Sequence, residues 1–126
     1  MTDQVVLDAS AVLAFVLDEP GADQVEAVLG TASVPATNWA EIVQRLRRIG
    51  SDAARAASAL KALGVRIEVV GELDAEVAAS LYEANPSLSL GDRLCLAVAQ
   101  RLAQPVYTAD RAWAKAQTDA QVVLLR

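Results

Sequence analysis

Four acidic residues stand where a carboxylate is hard to explain by solvation alone. Asp8 follows the apolar run Val5-Val6-Leu7 and opens Asp8-Ala9-Ser10-Ala11. Glu41 closes Asn38-Trp39-Ala40-Glu41, Asp92 lies in Leu90-Gly91-Asp92-Arg93, and Asp110 ends Tyr107-Thr108-Ala109-Asp110. A carboxylate at the end of an apolar, β-rich run is costly unless a cation or hydrogen-bond donors receive it. Each of the four falls where a helix should begin. Read together, they are the donor set of one site for a hard divalent cation, and such all-oxygen sites favour Mg2+ or Mn2+ over softer metals.

Each acid also has a plainer reading. Helix N-termini attract acids through their free N–H groups and their dipole. Asn38-x-x-Glu41 and Ser89-x-x-Asp92 both resemble capping boxes, and Thr108-x-Asp110 fits a turn followed by a cap. Taken singly, each acid is as readily a cap as a ligand. Taken together they are harder to dismiss, because ordinary caps scatter over both edges of a sheet. Four carboxylates crowded on one edge repel one another, and some would protonate without a cation.

What the chain lacks narrows the chemistry. It has no histidine, which excludes a Ser-His-Asp or Cys-His mechanism, a histidine base and histidine-liganded zinc. Its single cysteine, Cys95, lies in Leu94-Cys95-Leu96-Ala97-Val98. It can form neither an internal disulfide nor a cysteine-rich metal site, and it reads as a small buried apolar residue in a protein of a reducing compartment. The net charge of −5 argues against a passive nucleic-acid coat. It leaves room for a nuclease whose metal ions carry positive charge to the phosphate.

Nine of the 11 basic residues are arginine, and Arg45, Arg47 and Arg48 cluster behind Glu41. A planar guanidinium binds phosphate with a fork, so this cluster is a candidate for holding a nucleic-acid backbone. The competing reading is a solvated helix end whose cations suit its C-terminal dipole. Arg93 and Arg111 adjoin proposed ligands and are placed to pair with the acids or touch substrate. Trp39 and Trp113 suit stacking on bases, but burial is the expectation for both. Asp18, Glu19, Glu26, Asp52, Asp74, Glu76 and Glu83 read as solvated faces or caps; Asp119, just before the fifth strand, fits either an approach to the same region or a plain turn, and the turn is favoured.

The elements that must position these residues alternate. Val5–Asp8, Ser33–Ala36, Arg66–Val70, Val106–Thr108 and Gln121–Leu125 read as five strands. Helices are predicted over Ala11–Leu17 with Ser10 as cap, about Asp23–Leu29, and from Thr37 or Asn38 to Arg48. Others cover Asp52–Leu63, a stretch capped by Asp74 that runs to Ala84, a stretch from Ser89 or Gly91 to Leu102, and a short one after Asp110. The predicted class is α/β: a mostly parallel five-stranded sheet between two helical layers. Parallel sheets bind ligands beyond the carboxyl ends of their strands, at a switch point. The order 3-2-1-4-5 is a topological guess that brings Asp8, Glu41 and Asp110 to neighbouring strand ends, with Asp92 starting a helix at the same edge.

With 126 residues, 54% hydrophobic and 4% aromatic, the chain is expected to be a single domain over residues 1–126 with an Ala/Val/Leu core. The apolar stretch Val5–Leu17 is interrupted by Asp8 and lacks a preceding basic region, so it does not read as a signal peptide. No stretch is long and clean enough to span a membrane, and a cytoplasmic location is expected.

The chain resembles the PIN-domain ribonucleases, specifically the VapC-type toxins of bacterial toxin–antitoxin pairs. The resemblance covers essentially the whole chain. It rests on Val6-Leu7-Asp8-Ala9-Ser10-Ala11, on Asn38-x-x-Glu41, on Leu88-Ser89-Leu90-Gly91-Asp92-Arg93 and on Val106-Tyr107-Thr108-Ala109-Asp110-Arg111-Ala112-Trp113. Each piece is short, and their order and spacing together are specific. The resemblance implies a three-layer PIN-like fold and a Mg2+- or Mn2+-dependent endoribonuclease, inhibited by a cognate VapB-like antitoxin. Asp8, Glu41, Asp92 and Asp110 would be its catalytic, metal-holding acids, and Ser10, Asn38 and Thr108 supporting polar neighbours. Arg45, Arg48 and Arg93 are candidate RNA contacts, and a homodimer is implied.

Two other classes fit less well. A receiver or phosphotransfer domain needs a phosphoacceptor Asp after the third strand and a Lys near the fifth. Here the third strand ends in Val69-Val70-Gly71, the only lysines are Lys61 and Lys115, and Ser10 stands where an Asp-x-Asp phosphatase has its second acid. A non-catalytic binding module on the same fold would not need the complete acid set.

Overall fold

The computed structural model describes residues 3–125. Met1, Thr2 and Arg126, which belong to the single-domain expectation, lie outside the described residues. Five parallel strands form one sheet in the order β3-β2-β1-β4-β5, the order expected from sequence. They are β1 (Val5–Leu7), β2 (Ala32–Pro35), β3 (Arg66–Glu68), β4 (Val106–Thr108) and β5 (Val122–Leu124). The helices are α1 (Ala9–Val16), α2 (Ala22–Glu26), α3 (Ala36–Arg48), α4 (Ala53–Ala62), α5 (Glu72–Ser80) and α6 (Leu90–Leu102).

The central strand β1 is buried on both faces, as its unbroken Val-Val-Leu run requires. Its period of two splits the core. Val5 and Leu7 pack with residues of α1, α2, α3 and α4, while Val6 packs with Cys95, Leu96 and Ala99 of α6 and with Val106 and Trp113. The result is a three-layer α/β/α arrangement. β1 pairs with β2 on one side and β4 on the other. Residues that follow β1, β2 and β4 therefore share the carboxyl edge of the sheet, and α6, which leads back toward β4, begins beside them.

Several local expectations shift. The helix after β1 is capped by Asp8 rather than Ser10, because the Asp8 carboxylate reaches the Ala11 N–H at 2.8 Å. The helix after β2 starts at Ala36 with Pro35 as its N-cap, so Asn38 lies inside it and not at its cap. α5 is capped at Gly71, with Asp74 accepting from the Gly71 N–H, and it ends at Ser80 rather than Ala84. Asp74 is no solvated acid: it is 4% exposed and ion-paired with Arg101 at 2.9 Å. The stretch predicted as one helix to Leu29 becomes α2 and a short 3-10 turn, Leu29–Thr31. Among the described residues, no helix is long and apolar enough to cross a membrane.

Candidate functional site

Asp8 is 3% exposed and has its carboxylate fully engaged. Oδ1 accepts from the Ala11 N–H and from the Ser10 hydroxyl, both at 2.8 Å, and Oδ2 accepts from the Thr108 hydroxyl at 2.5 Å. The two hydroxyls act as relays. Ser10 Oγ accepts from the Ala109 N–H at 2.9 Å, and Thr108 Oγ1 from the Asp110 N–H at 3.0 Å. Asp8 thus holds the loop that carries Asp110. Burial pushes its carboxyl up to about 6, helped by the charge of Asp92, while the Thr108, Ala11 and Ser10 hydrogen bonds pull the other way.

The other acids come from three further elements. Glu41 sits in the second turn of α3, where Asn38 Nδ2, one turn earlier, donates to Oε1 at 2.8 Å. Asp92 forms a capping box with Ser89 at the start of α6. Asp110 caps the short 3-10 turn Arg111–Lys115 through the Ala112 N–H at 2.9 Å. Gly91 lets α6 approach closely: a Cβ there would stand 3.0 Å from Glu41 Oε2. From sequence Gly91 is only a possible helix start; its closeness to Glu41 comes from how α6 crosses α3.

Asp8, Glu41, Asp92 and Asp110 line one open cavity of about 450 Å3, together with Ser10, Asn38, Gln44, Arg45 and Arg48. The four acids therefore share one cavity, and Asp8, Asp92 and Asp110 serve as caps as well. Asp92 and Asp110 each spend one oxygen on a cap, and Glu41 spends one on Asn38. Among the described residues, Glu41 Oε2, Asp92 Oδ1 and Asp110 Oδ2 take no hydrogen bond. Cys95, buried in the core, records the same convergence: burial pushes its thiol well up, and the charges of Asp8, Asp92 and Glu41 all add to that.

The chemistry of the donor set fits a hard cation. The polar lining is oxygen-rich, and Asn38, 1% exposed, has a buried Oδ1 with no hydrogen-bond partner. The donors are gathered on one rim and not drawn into a finished cage: among the described residues no group of three acidic or thiol side chains stands at metal-holding distances. Asp8, Asp92 and Asp110 are each held by N–H groups of their own turn, and Glu41 by the Asn38 amide.

Some expected contacts do not form. Arg93 is turned from the acids: it donates to the carbonyls of Ala78 (2.9 Å) and Leu88 (3.5 Å) and lies 5.1 Å from the Tyr82 ring centroid. A helix residue next to Asp92 points about 100° away from it, so adjacency in sequence becomes separation in space. Arg111 is exposed and does not line the cavity. Trp113 is buried in the core, and Trp39 is half-buried with Lys61 5.7 Å from its ring. Asp119 lies at the opposite edge of the sheet, in a cavity shared with Gln104 and Pro105.

Among solved structures, the chain is similar to one described as a toxin–antitoxin complex from Klebsiella pneumoniae, at 20% identity and a TM-score of 0.81, over 98% of each chain. It is also similar to Mycobacterium tuberculosis VapC20, described as a sarcin–ricin-loop-cleaving toxin, at 18% identity and a TM-score of 0.70, over 91% of this chain and 96% of that one. A third similar structure is VapBC2 from Rickettsia felis bound to a promoter DNA fragment, at 11% identity and a TM-score of 0.73, over 97% and 98%. No curated protein sequence matches. These likenesses concern the fold. The family model described as the PIN domain matches residues 5–118, nearly the whole chain, and so the protein belongs to the PIN domain family.

Proposed function

We propose that this PIN domain protein is a metal-dependent endoribonuclease of the VapC type, the toxin of a toxin–antitoxin pair. The observation that carries the reading is the convergence of Asp8, Glu41, Asp92 and Asp110, from four separate elements, on one cavity. The similar structures from toxin–antitoxin complexes, and the RNA-cleaving description of VapC20, support it. A cytoplasmic location, a homodimer and inhibition by a VapB-like antitoxin belong to the same reading.

Asp8, Glu41, Asp92 and Asp110 would hold Mg2+ or Mn2+. When bound, such an ion supplies Lewis acidity to the phosphate and lowers the pKa of water. The chain's own residues set the stage for this. Ser10, Thr108 and the Ala11 N–H fix the Asp8 carboxylate, and Asn38 fixes that of Glu41. Three carboxylate oxygens stay free of protein donors, ready for a cation. Above about pH 6 Asp8 carries its charge.

The test is to map RNA ends after brief induction in cells, wild type against Asp8→Asn. New ends are expected for the wild type and none for the variant. Full Mg2+-dependent cleavage by folded Asp8→Asn protein would overturn the assignment. Tight partner binding with no cleavage at any Mn2+ concentration would favour a non-catalytic binding module instead.

A further inference from the structure

We propose that one stripe of α3, formed by Gln44, Arg45 and Arg48 and excluding Arg47, is a track that holds the RNA backbone beside the acids; the inference rests on the ribonuclease reading. Along α3, Ile42 and Leu46 are buried in the core, whereas Glu41, Gln44, Arg45 and Arg48 line the cavity. Their spacing of i, i+3, i+4 and i+7 is that of a single helix face. At 1.5 Å of rise per residue, Arg45 lies about 6 Å and Arg48 about 10 Å beyond Glu41 along the axis. A strand whose scissile phosphate meets the acids would therefore run its flanking phosphates toward the C-terminal end of α3.

The electrostatics favour such a feature. Four acids line the cavity of a chain with a net charge of −5, and a phosphodiester approaching it is repelled. Cations on the rim offset that repulsion. Other arginines are committed elsewhere: Arg101 to Glu68 and Asp74, Arg93 to two carbonyls. Arg45 and Arg48 are exposed and form no ion pair among the described residues. Glu41, one turn before Arg45, is tied to Asn38 rather than to the arginine. The guanidinium forks suit phosphate oxygens, and the Gln44 amide suits a sugar or base edge.

Arg47 supplies an internal control. It has the same charge, sits in the same last turn and is also exposed, but it does not line the cavity. A purely dipolar role would make all three arginines equivalent.

The experiment measures binding of a labelled single-stranded RNA to the full chain in EDTA, by anisotropy at several salt concentrations. Arg45→Ala and Arg48→Ala should each weaken binding roughly fivefold to tenfold and lower the slope of log K against log salt by about 1. Arg47→Ala should stay within about twofold of wild type, and circular dichroism should be unchanged for these exposed sites. Equal losses for all three arginines would reduce the effect to net charge and overturn the track. So would unchanged RNA binding combined with loss of an acidic protein partner, which would assign the stripe to protein contact. Because the readout needs no cleavage, the two readings separate. Wild type that binds through Arg45 and Arg48 yet never cleaves keeps the track and loses the nuclease. Cleavage with an unchanged KM in both variants keeps the nuclease and loses the track.

Discussion

The Thr108 hydroxyl donates to Asp8 Oδ2 at 2.5 Å, joining the ends of β4 and β1 across 100 residues of sequence. Thr108 Oγ1 in turn accepts from the Asp110 N–H. One hydroxyl therefore fixes the orientation of Asp8 and the start of the loop that presents Asp110. Thr108→Val keeps the shape and removes both bonds. It should cost about 1–3 kcal/mol, the usual penalty when buried polar groups lose a partner. The Asp8 carboxyl should rise further above 6, because the Thr108 bond is what pulls hardest against burial. Urea unfolding and the acid limb of the cleavage profile read the two effects. A limb that does not move would separate Thr108 from the Asp8 charge.

Asp8 gives the metal-free protein an unusual pH dependence. Its folded pKa, about 6, lies above the ordinary 3.8. Between those values the folded state holds a proton that the unfolded state has released, so stability falls as pH rises through this window and levels off above it. Asp8→Asn removes the buried charge and can keep an acceptor for Ala11. In EDTA at about pH 8 it should be more stable than wild type by up to about 3 kcal/mol, with the difference vanishing below about pH 4. Urea midpoints across that range test this, and a variant less stable than wild type at high pH would refute it.

Asp74 behaves in the opposite sense. Burial raises its carboxyl, but the Arg101 and Gly71 hydrogen bonds outweigh that and hold it below the usual value. Its contribution is present above the ordinary carboxylate range and fades as pH falls through the depressed value. Arg101→Met should cost about 1–3 kcal/mol near neutral pH, since it leaves a buried carboxylate with only the Gly71 N–H. The cost should shrink at acid pH. Thermal melts at neutral and strongly acid pH distinguish this from a packing defect, whose cost would not change.

Gly91→Ala separates stability from function. The added Cβ would stand 3.0 Å from Glu41 Oε2, the free end of a flexible side chain that can shift. Alanine is favoured over glycine in a helix by up to about 1 kcal/mol. The variant should melt at or above the wild-type temperature while cleavage at limiting Mn2+ falls by about tenfold, a typical effect of disturbing a ligand's support. Excess Mn2+ should restore activity. Unchanged activity at limiting Mn2+ would show that Glu41 tolerates the displacement.

The sequence by itself determined the candidate acids and the alternation of strands and helices. The Val-Val-Leu run before Asp8, the helical stretches between short apolar segments and the turn chemistry of Gly and Pro are local signals, and they lead to that alternation; the order 3-2-1-4-5 is a topological guess that the structure bears out. That guess places the four acids at one carboxyl edge, and in the structure they line one cavity. What only the tertiary structure decided is which atom bonds which. Asp8 and not Ser10 caps α1, Asn38 is buried within α3 against Glu41, and Gly91 rather than a larger residue faces the Glu41 carboxylate. Arg93, beside Asp92 in sequence, ends on the carbonyls of Ala78 and Leu88. The physical reason is range. Propensity and periodicity act over one or two helical turns, whereas these contacts depend on how α3, α6 and the loop after β4 cross at the sheet edge, which is set by packing of the whole core.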